Sequence, residues 1–154
     1  MTSTLETSRD HFIEGVSRIA RFWGFPKAMG AIYGAVYLSP DPLTLDDLVR
    51  QVGVSKGAVS TNVRTLQRLQ MIHKRVKVGD RKDYYEIAPG AFETMMAKRV
   101  GVIHAMAGLA AEGVQAVGEE PSAARNRLTE MLDFYLFMGE QIEQLLERWR
   151  EVKG

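Results

Sequence analysis

Apolar residues recur at intervals of three and four along most of the chain, which predicts amphipathic helices separated by short connections. The predicted helical segments are residues 8–23, 26–38, 45–52, 55–69, 91–117 and 123–152. The period changes to two over 75–78 and 84–87, which predicts two short strands joined by a tight hairpin at 79–82. The pattern therefore indicates a mainly α fold with a small β wing.

The connections between these segments carry specific local signals. Thr44 with Asp47 resembles a capping box, Gly53 suits a left-handed C-terminal cap, and Ser55 suits the N-cap of the next helix. A short helix, a three-residue turn, a longer helix and a basic hairpin follow one another as in a winged helix-turn-helix. The predicted domains are an N-terminal dimerisation helix (1–25), a winged helix-turn-helix DNA-binding domain (26–88) and a C-terminal helical dimerisation region (89–154).

The predicted helix 55–69 has an exposed face of small and hydroxyl residues, where stronger helix formers would be more stable. Gly57 alone costs about 1 kcal/mol relative to alanine. Such a face suits the major groove of DNA, because a slim surface brings the backbone close to the base edges and the polar side chains can hydrogen-bond there. The predicted DNA-binding residues of this helix are Lys56, Gly57, Ser60, Thr61, Asn62, Arg64 and Arg68.

Some of these residues have a structural alternative. Asn62 lies beside the buried stripe and is as well placed to bond within the protein as to DNA. Ser55 is interpreted as a helix cap and not as a base reader. Arg81 and Lys82 at the hairpin tip suit contacts with phosphates or the minor groove, the alternative being an ordinary polar turn.

The net charge of +1 conceals a strong asymmetry. The segment 55–82 holds eight of the 20 basic residues and one of the 19 acidic ones, so it carries +7 and the remainder of the chain −6. A lone charge run is usually a solvated face, but this one coincides with the helix of unusual composition. The asymmetry therefore indicates a polyanion-binding region on an acidic body.

The last predicted helix carries a heptad pattern. Its apolar positions are Leu128, Met131, Tyr135, Met138, Ile142, Leu145, Trp149 and Val152. One small domain cannot bury this seam together with the stripes of 8–23 and 91–117, so we predict a homodimer, with an intramolecular helical hairpin as the alternative. A dimer also suits DNA, because two recognition helices about 34 Å apart match successive major grooves of a palindromic operator.

The composition argues against several other classes of protein. The 154 residues include no cysteine and three scattered histidines, and no phosphate-binding loop or nucleophile elbow occurs. We therefore predict no catalytic residue, no metal and no cofactor. No apolar run reaches about 18 residues and no signal peptide is found, so a cytoplasmic location without membrane contact is expected.

Three segments of the chain resemble the GbsR branch of the MarR-like transcriptional regulators. They are FWGFPKAMGAIYGAVYLSP (22–40), LDDLVRQVGVSKGAVSTNVRTLQRL (45–69) and KVGDRKDYYEI (77–87). The resemblance implies a homodimeric winged-helix repressor or regulator, with helix 55–69 in the major groove and the hairpin 77–87 as the wing. The chain departs from the family pattern at Gln70, where glycine is expected, and this concerns the cap of the recognition helix.

The sequence is compatible with one alternative function and with one class of effector. A winged helix used for protein interaction or for non-specific chromosome binding is the alternative function; the basic segment argues against the first but leaves the second open. Aromatic residues at Trp23, Phe25, Tyr33 and Tyr37 and over 134–138 could bind a quaternary ammonium effector, to which some relatives in this branch respond. Core packing at an interface is the favoured interpretation, so no effector residues are assigned.

Overall fold

The fold was determined as a computed structural model that describes residues 3–154, so the first two residues of the predicted domain 1–25 lie outside the described part. The chain divides into two compact units, Met1–Ala91 and Phe92–Gly154. The helices are α1 (Ser3–Phe22), α2 (Lys27–Leu38), α3 (Leu45–Val52), α4 (Lys56–Arg68), α5 (Ala91–Ala116) and α6 (Ala123–Lys153). The strands are β1 (Leu43–Thr44), β2 (Ile72–Val76) and β3 (Asp83–Ile87).

The core of the first unit lies among α2, α3, α4 and the sheet. Its most deeply buried apolar side chains are Ile32, Leu48, Val59, Val63, Leu66 and Ile72. They come from α2, α3, α4 and β2, and the three on α4 are the stripe that the helical spacing predicted. The mainly α fold with a small β wing is confirmed.

The sheet has three antiparallel strands in the order β1-β3-β2. Leu43 pairs with Tyr85, and Ile72 pairs with Ile87 at the buried end of β2. The predicted strand 75–78 was misplaced, because β2 ends at Val76 and residues 77–82 connect the strands. β1 was not predicted. Neither β1 nor β2 shows a clear alternation of buried and exposed residues, because β1 has two residues and β2 is exposed after His73. Both strands pair with β3.

The second unit is an antiparallel hairpin of α5 and α6. Leu128 covers Gly113 near the connection, His104 contacts Gly139 near the middle, and Arg150 lies 3.7 Å from Glu93 at the open end. The intramolecular hairpin considered as an alternative is therefore present. It buries little, because its buried apolar residues are confined to Val100, Ala107, Ala110 and Leu146 among the described residues 92–154.

The heptad seam of α6 is divided between two environments. From Leu128 to Ile142 its members are partly buried, whereas Leu145, Trp149 and Val152 are exposed and Leu146 takes the buried position instead. A straight helix drifts by about 20° per heptad relative to a repeat of seven, so three heptads rotate the seam away from α5. No helix within residues 3–154 is both long and apolar enough to cross a lipid bilayer.

Candidate nucleic-acid interface

Helix α4 is held at its N-terminus by the caps that the sequence predicted. The Ser55 hydroxyl accepts the Ala58 amide at 3.2 Å. The preceding helix begins with a complete capping box, in which Thr44 Oγ1 accepts the Asp47 amide at 3.1 Å and Asp47 Oδ2 accepts the Thr44 amide at 2.9 Å. Gly53 has φ of 73° at the turn between the helices. These caps fix where α4 begins and therefore which residues form its outer face.

The outer face of α4 lies opposite the buried stripe Val59, Val63 and Leu66. Its residues Lys56, Gly57, Thr61, Arg64 and Arg68 are exposed, and Ser60 is half-buried. A Cβ atom added at Gly57 would meet nothing within 4 Å, so no contact inside the unit explains the glycine. The structure thus brings the predicted DNA-binding residues of α4, apart from Asn62, onto or beside one open surface.

Asn62 and Lys56 already have partners within the protein. Asn62 Nδ2 donates to the Ala58 carbonyl at 2.8 Å, the type of back-bond to the preceding turn that favours the structural alternative for this residue. Lys56 Nζ lies 3.1 Å from Asp46 Oδ1, with both side chains more than half exposed. An exposed pair of this kind is worth at most about 1 kcal/mol, so Lys56 can exchange Asp46 for another anion.

The fold neutralises part of the basic segment. Lys74 Nζ lies 3.0 Å from Asp83, and Glu86 accepts from His73 at 2.7 Å and pairs with Arg75 at 3.3 Å. The His73 hydrogen bond, followed by that from Arg75, lowers the pKa of Glu86 below its ordinary value. These partners lie beyond residue 82, so counting charges along 55–82 could not reveal them.

The remaining cations concentrate on α4 and on the connection 77–82. Arg64, Arg81 and Lys82 form no ion pair with any residue between 3 and 154, and all three are exposed. Lys77 places its Nζ 4.1 Å from the centroid of the Tyr84 ring. Within 55–82, the cations that form no ion pair among the described residues therefore lie on α4 and on the connection 77–82.

Asp80 organises the tip of the wing, a role that sequence reasoning missed. Its Oδ1 accepts the Lys82 amide at 2.9 Å and its Oδ2 accepts the Tyr84 hydroxyl at 2.6 Å. The hydrogen bond from Tyr84, followed by that from the Lys82 amide, lowers the pKa of Asp80. The bond between Tyr84 and Asp80 also raises the pKa of Tyr84. An aspartate bonded to the amide two residues on is a known turn device, so a signal was present in Gly79-Asp80.

Helix α4 ends in a Schellman motif centred on Gln70. The Met71 amide donates to the Leu66 carbonyl at 3.0 Å and the Gln70 amide to the Gln67 carbonyl at 2.9 Å. Gln70 has φ of 60°, the left-handed conformation for which glycine is expected, and no other described non-glycine residue has positive φ. The expected glycine is thus replaced by a residue that adopts the same backbone.

The aromatic residues near the first connection divide into two groups. The ring centroid of Tyr37 lies 5.8 Å from that of Tyr33 and 6.4 Å from that of Phe12. The ring of Trp23 packs edge-on against Phe22, with 5.8 Å between their centroids. Because α1 and α2 run antiparallel, Tyr37 meets the first half of α1 and Trp23 follows its end, about 16 Å further along the helix. Tyr37 and Trp23 therefore lie at different places along α1.

Comparison with protein families and curated proteins gives a consistent result. The family model for the MmpR5-like MarR family transcriptional regulator matches residues 90–152. The chain is 29% identical over 115 residues to the HTH-type transcriptional regulator MmpR5 of Mycobacterium tuberculosis (strain ATCC 25618 / H37Rv), covering 75% of this chain and 70% of MmpR5. These proteins are named as transcriptional regulators, which are not enzymes.

Two further relatives come from Bacillus subtilis (strain 168). The putative HTH-type transcriptional regulator YvaV is 32% identical over 92 residues, which are 60% of this chain and 52% of YvaV. The HTH-type transcriptional repressor GbsR is 31% identical over 80 residues, which are 52% of this chain and 44% of GbsR. The chain thus spans about half of the length of these two proteins.

A solved structure resembles the whole fold. It is a crystal structure of a transcriptional regulator that superposes with a TM-score of 0.77 at 25% sequence identity, covering 94% of this chain and 99% of that chain. The predicted resemblance to the GbsR branch is confirmed by the relatives and the fold. In sequence and in fold the chain is thus similar to MarR-like winged helix-turn-helix regulators, with GbsR among its relatives.

Proposed function

We propose that the protein is a sequence-specific, double-stranded DNA-binding transcriptional regulator that acts as a homodimer. In this proposal α4 enters the major groove and the wing, residues 77–87, contacts the backbone or the minor groove. We propose that it represses transcription, because its relative GbsR is named as a repressor. We assign no effector residues, and core packing remains the favoured interpretation of the aromatic side chains.

One observation carries this proposal. The cations at the base of the wing are paired with carboxylates, whereas Arg64 on α4 and Arg81 at the wing tip lack any such partner within residues 3–154. The open surface at Gly57 adjoins the exposed Thr61. Unpaired arginine and a slim hydroxyl-bearing face are what hydrogen bonding to base edges requires. A surface for protein interaction would instead be expected to expose aromatic or aliphatic side chains on α4.

The second unit supports the homodimer. Its two helices expose many large apolar side chains on a hairpin that buries few: Phe92, Val102, Leu109, Phe134, Leu136, Phe137, Leu145, Trp149 and Val152. Monomeric proteins rarely expose so many large apolar side chains on one pair of helices. Pairing of two hairpins into a four-helix arrangement would bury them. The exposed apolar residues of α1, including Leu5, Ile19 and Phe22, are a second surface suited to the same assembly.

A DNA titration tests the function. The wild-type protein is titrated against a duplex that it selects from a random library and against an unselected duplex of equal length, at 50 and 200 mM salt. A specific regulator keeps a large affinity ratio between the two duplexes at both salt concentrations. Equal affinity for both would support the non-specific chromosome-binding alternative, and absence of binding at 50 mM salt would support the protein-interaction alternative.

A further inference from the structure

The wing tip is tied to the sheet through the side chain of Tyr84. Tyr84 donates its hydroxyl proton to Asp80 Oδ2 at 2.6 Å, and its ring lies under Lys77 Nζ at 4.1 Å. Asp80 in turn accepts the Lys82 amide at 2.9 Å, and its own amide donates to the Lys77 carbonyl at 3.0 Å. One tyrosine thus connects to both ends of the connection 77–82.

The anchor itself is rigidly placed. Tyr84 belongs to β3, the central strand, where it pairs with Arg75 of β2 on one side and Thr44 of β1 on the other. The connection 77–82 has no strand partner, and Gly79 within it has φ of 82°. Without its ties to Tyr84, this connection would be expected to sample several conformations.

The charge of Asp80 is unexpected at this place. A carboxylate between Lys77 and Lys82 repels a polyanion and reduces the positive field of the wing. On electrostatic grounds alone, its removal should strengthen DNA binding. The hydrogen bonds from Tyr84 and Lys82 give the carboxylate a compensating role, because they order the backbone that carries Arg81 and Lys82.

We propose that Tyr84 is a positioning residue for DNA binding, which acts through Asp80 to hold the wing cations Lys77, Arg81 and Lys82 in their binding arrangement. This inference rests on the proposed DNA-binding function and adds to it a residue that does not itself contact DNA. Ordering the wing before binding reduces the conformational entropy that is lost when the complex forms.

Three single variants test the proposal, with binding measured against an unselected duplex at several salt concentrations. Tyr84→Phe keeps the ring and the net charge but removes the hydroxyl bond, so affinity should fall by about 2- to 10-fold while the salt slope stays unchanged. Asp80→Ala should also weaken binding, despite the loss of a negative charge. Asp83→Ala is the matched control, because it removes a wing carboxylate that pairs with Lys74 at the base, and it should strengthen binding by up to about 5-fold.

The outcomes separate the two proposals. Equal affinity of Tyr84→Phe and wild type, or strengthened binding by Asp80→Ala to the extent seen for Asp83→Ala, would overturn the positioning role. Loss of affinity accompanied by a lower unfolding temperature of the first unit would also overturn it, since the effect would then be general destabilisation. If the wild-type protein binds neither the selected nor the unselected duplex, the proposed function itself fails, and this result is distinct from a failure of the positioning role.

Discussion

A Cβ atom on Gly30 of α2 would lie 2.7 Å from the Cα of Ser17 on α1, so the two helices meet backbone to backbone at this point. Ser17 is buried, and its hydroxyl donates to the Ile13 carbonyl at 2.9 Å, which keeps the side chain out of the contact. One turn further along α2, a Cβ atom on Gly34 would lie 3.3 Å from the Cα of Ile13, so the close contact of the two helices continues there.

Gly30→Ala should destabilise the first unit by about 1–3 kcal/mol, because the added methyl group meets backbone atoms that cannot move aside. Gly15→Ala is the matched control on α1, since its methyl group would meet nothing within 4 Å, and it should stabilise the helix by up to about 1 kcal/mol. Urea unfolding of both variants checks the prediction. Equal midpoints would show that the helices can separate at no cost.

Gln70→Gly should raise the free energy of unfolding by about 0.5–1 kcal/mol, because glycine adopts the left-handed conformation at φ of 60° without strain. The reverse change at Gly53→Gln, where φ is 73°, should lower the free energy of unfolding by a similar amount. Both variants are compared by thermal unfolding. A loss of stability in Gln70→Gly would mean that the glutamine side chain makes a contact worth more than the backbone strain.

Arg64→Ala should weaken binding to a selected duplex by about 1–3 kcal/mol and relax the base preference at one position in each half-site. Lys82→Ala should weaken binding to all sequences more evenly and reduce the salt slope by about one. Titrations on selected and unselected duplexes measure both effects. An equal loss on both duplexes for Arg64→Ala would exclude it from base recognition.

Leu145→Asp should dissociate the proposed dimer and leave the hairpin folded, because Leu145 is 58% exposed within the chain. Its neighbour Leu146 is 8% exposed, so Leu146→Asp should disrupt the hairpin itself and reduce helix content. Sedimentation gives the assembly state and circular dichroism the helix content. If Leu145→Asp remains a dimer that binds a palindrome tightly, dimerisation must be sought in α1 or α5.

Asp47 should make stability depend on pH in the acid range. The Thr44 amide hydrogen bond is the largest cause that lowers the pKa of this carboxyl in the folded state. The folded pKa lies below the unfolded value of about 3.9, so the stabilisation is complete above about pH 5 and is lost as the pH falls through the folded pKa. Asp47→Asn should remove this pH dependence of stability. Asp46→Asn is the control: it removes an equal charge from a residue outside the capping box, so the pH dependence should remain. The measurement is the urea midpoint of each variant between pH 3 and 7. The prediction is contradicted if the midpoint of Asp47→Asn changes with pH as much as that of the wild type.

The helices, their caps and the resemblance to MarR-like regulators could be predicted from the sequence alone. These features are local: Thr44-Asp47, Gly53 and Ser55 act on amides within a few residues, and the stripe of Val59, Val63 and Leu66 follows from helical period alone. The outer face of α4 was predictable for the same reason, because it is the surface opposite that stripe.

Which charges remain unpaired and which strands form depends on contacts between elements that are distant in sequence. Asp83 and Glu86 neutralise Lys74 and Arg75 across the ladder of β2 and β3, and such pairing depends on strand register, which the local pattern did not contain. The division of the α6 seam at Leu145 likewise depends on the accumulated rotation of a straight helix against α5. Register and rotation are set by packing between elements, and packing is what a pattern along one chain does not specify.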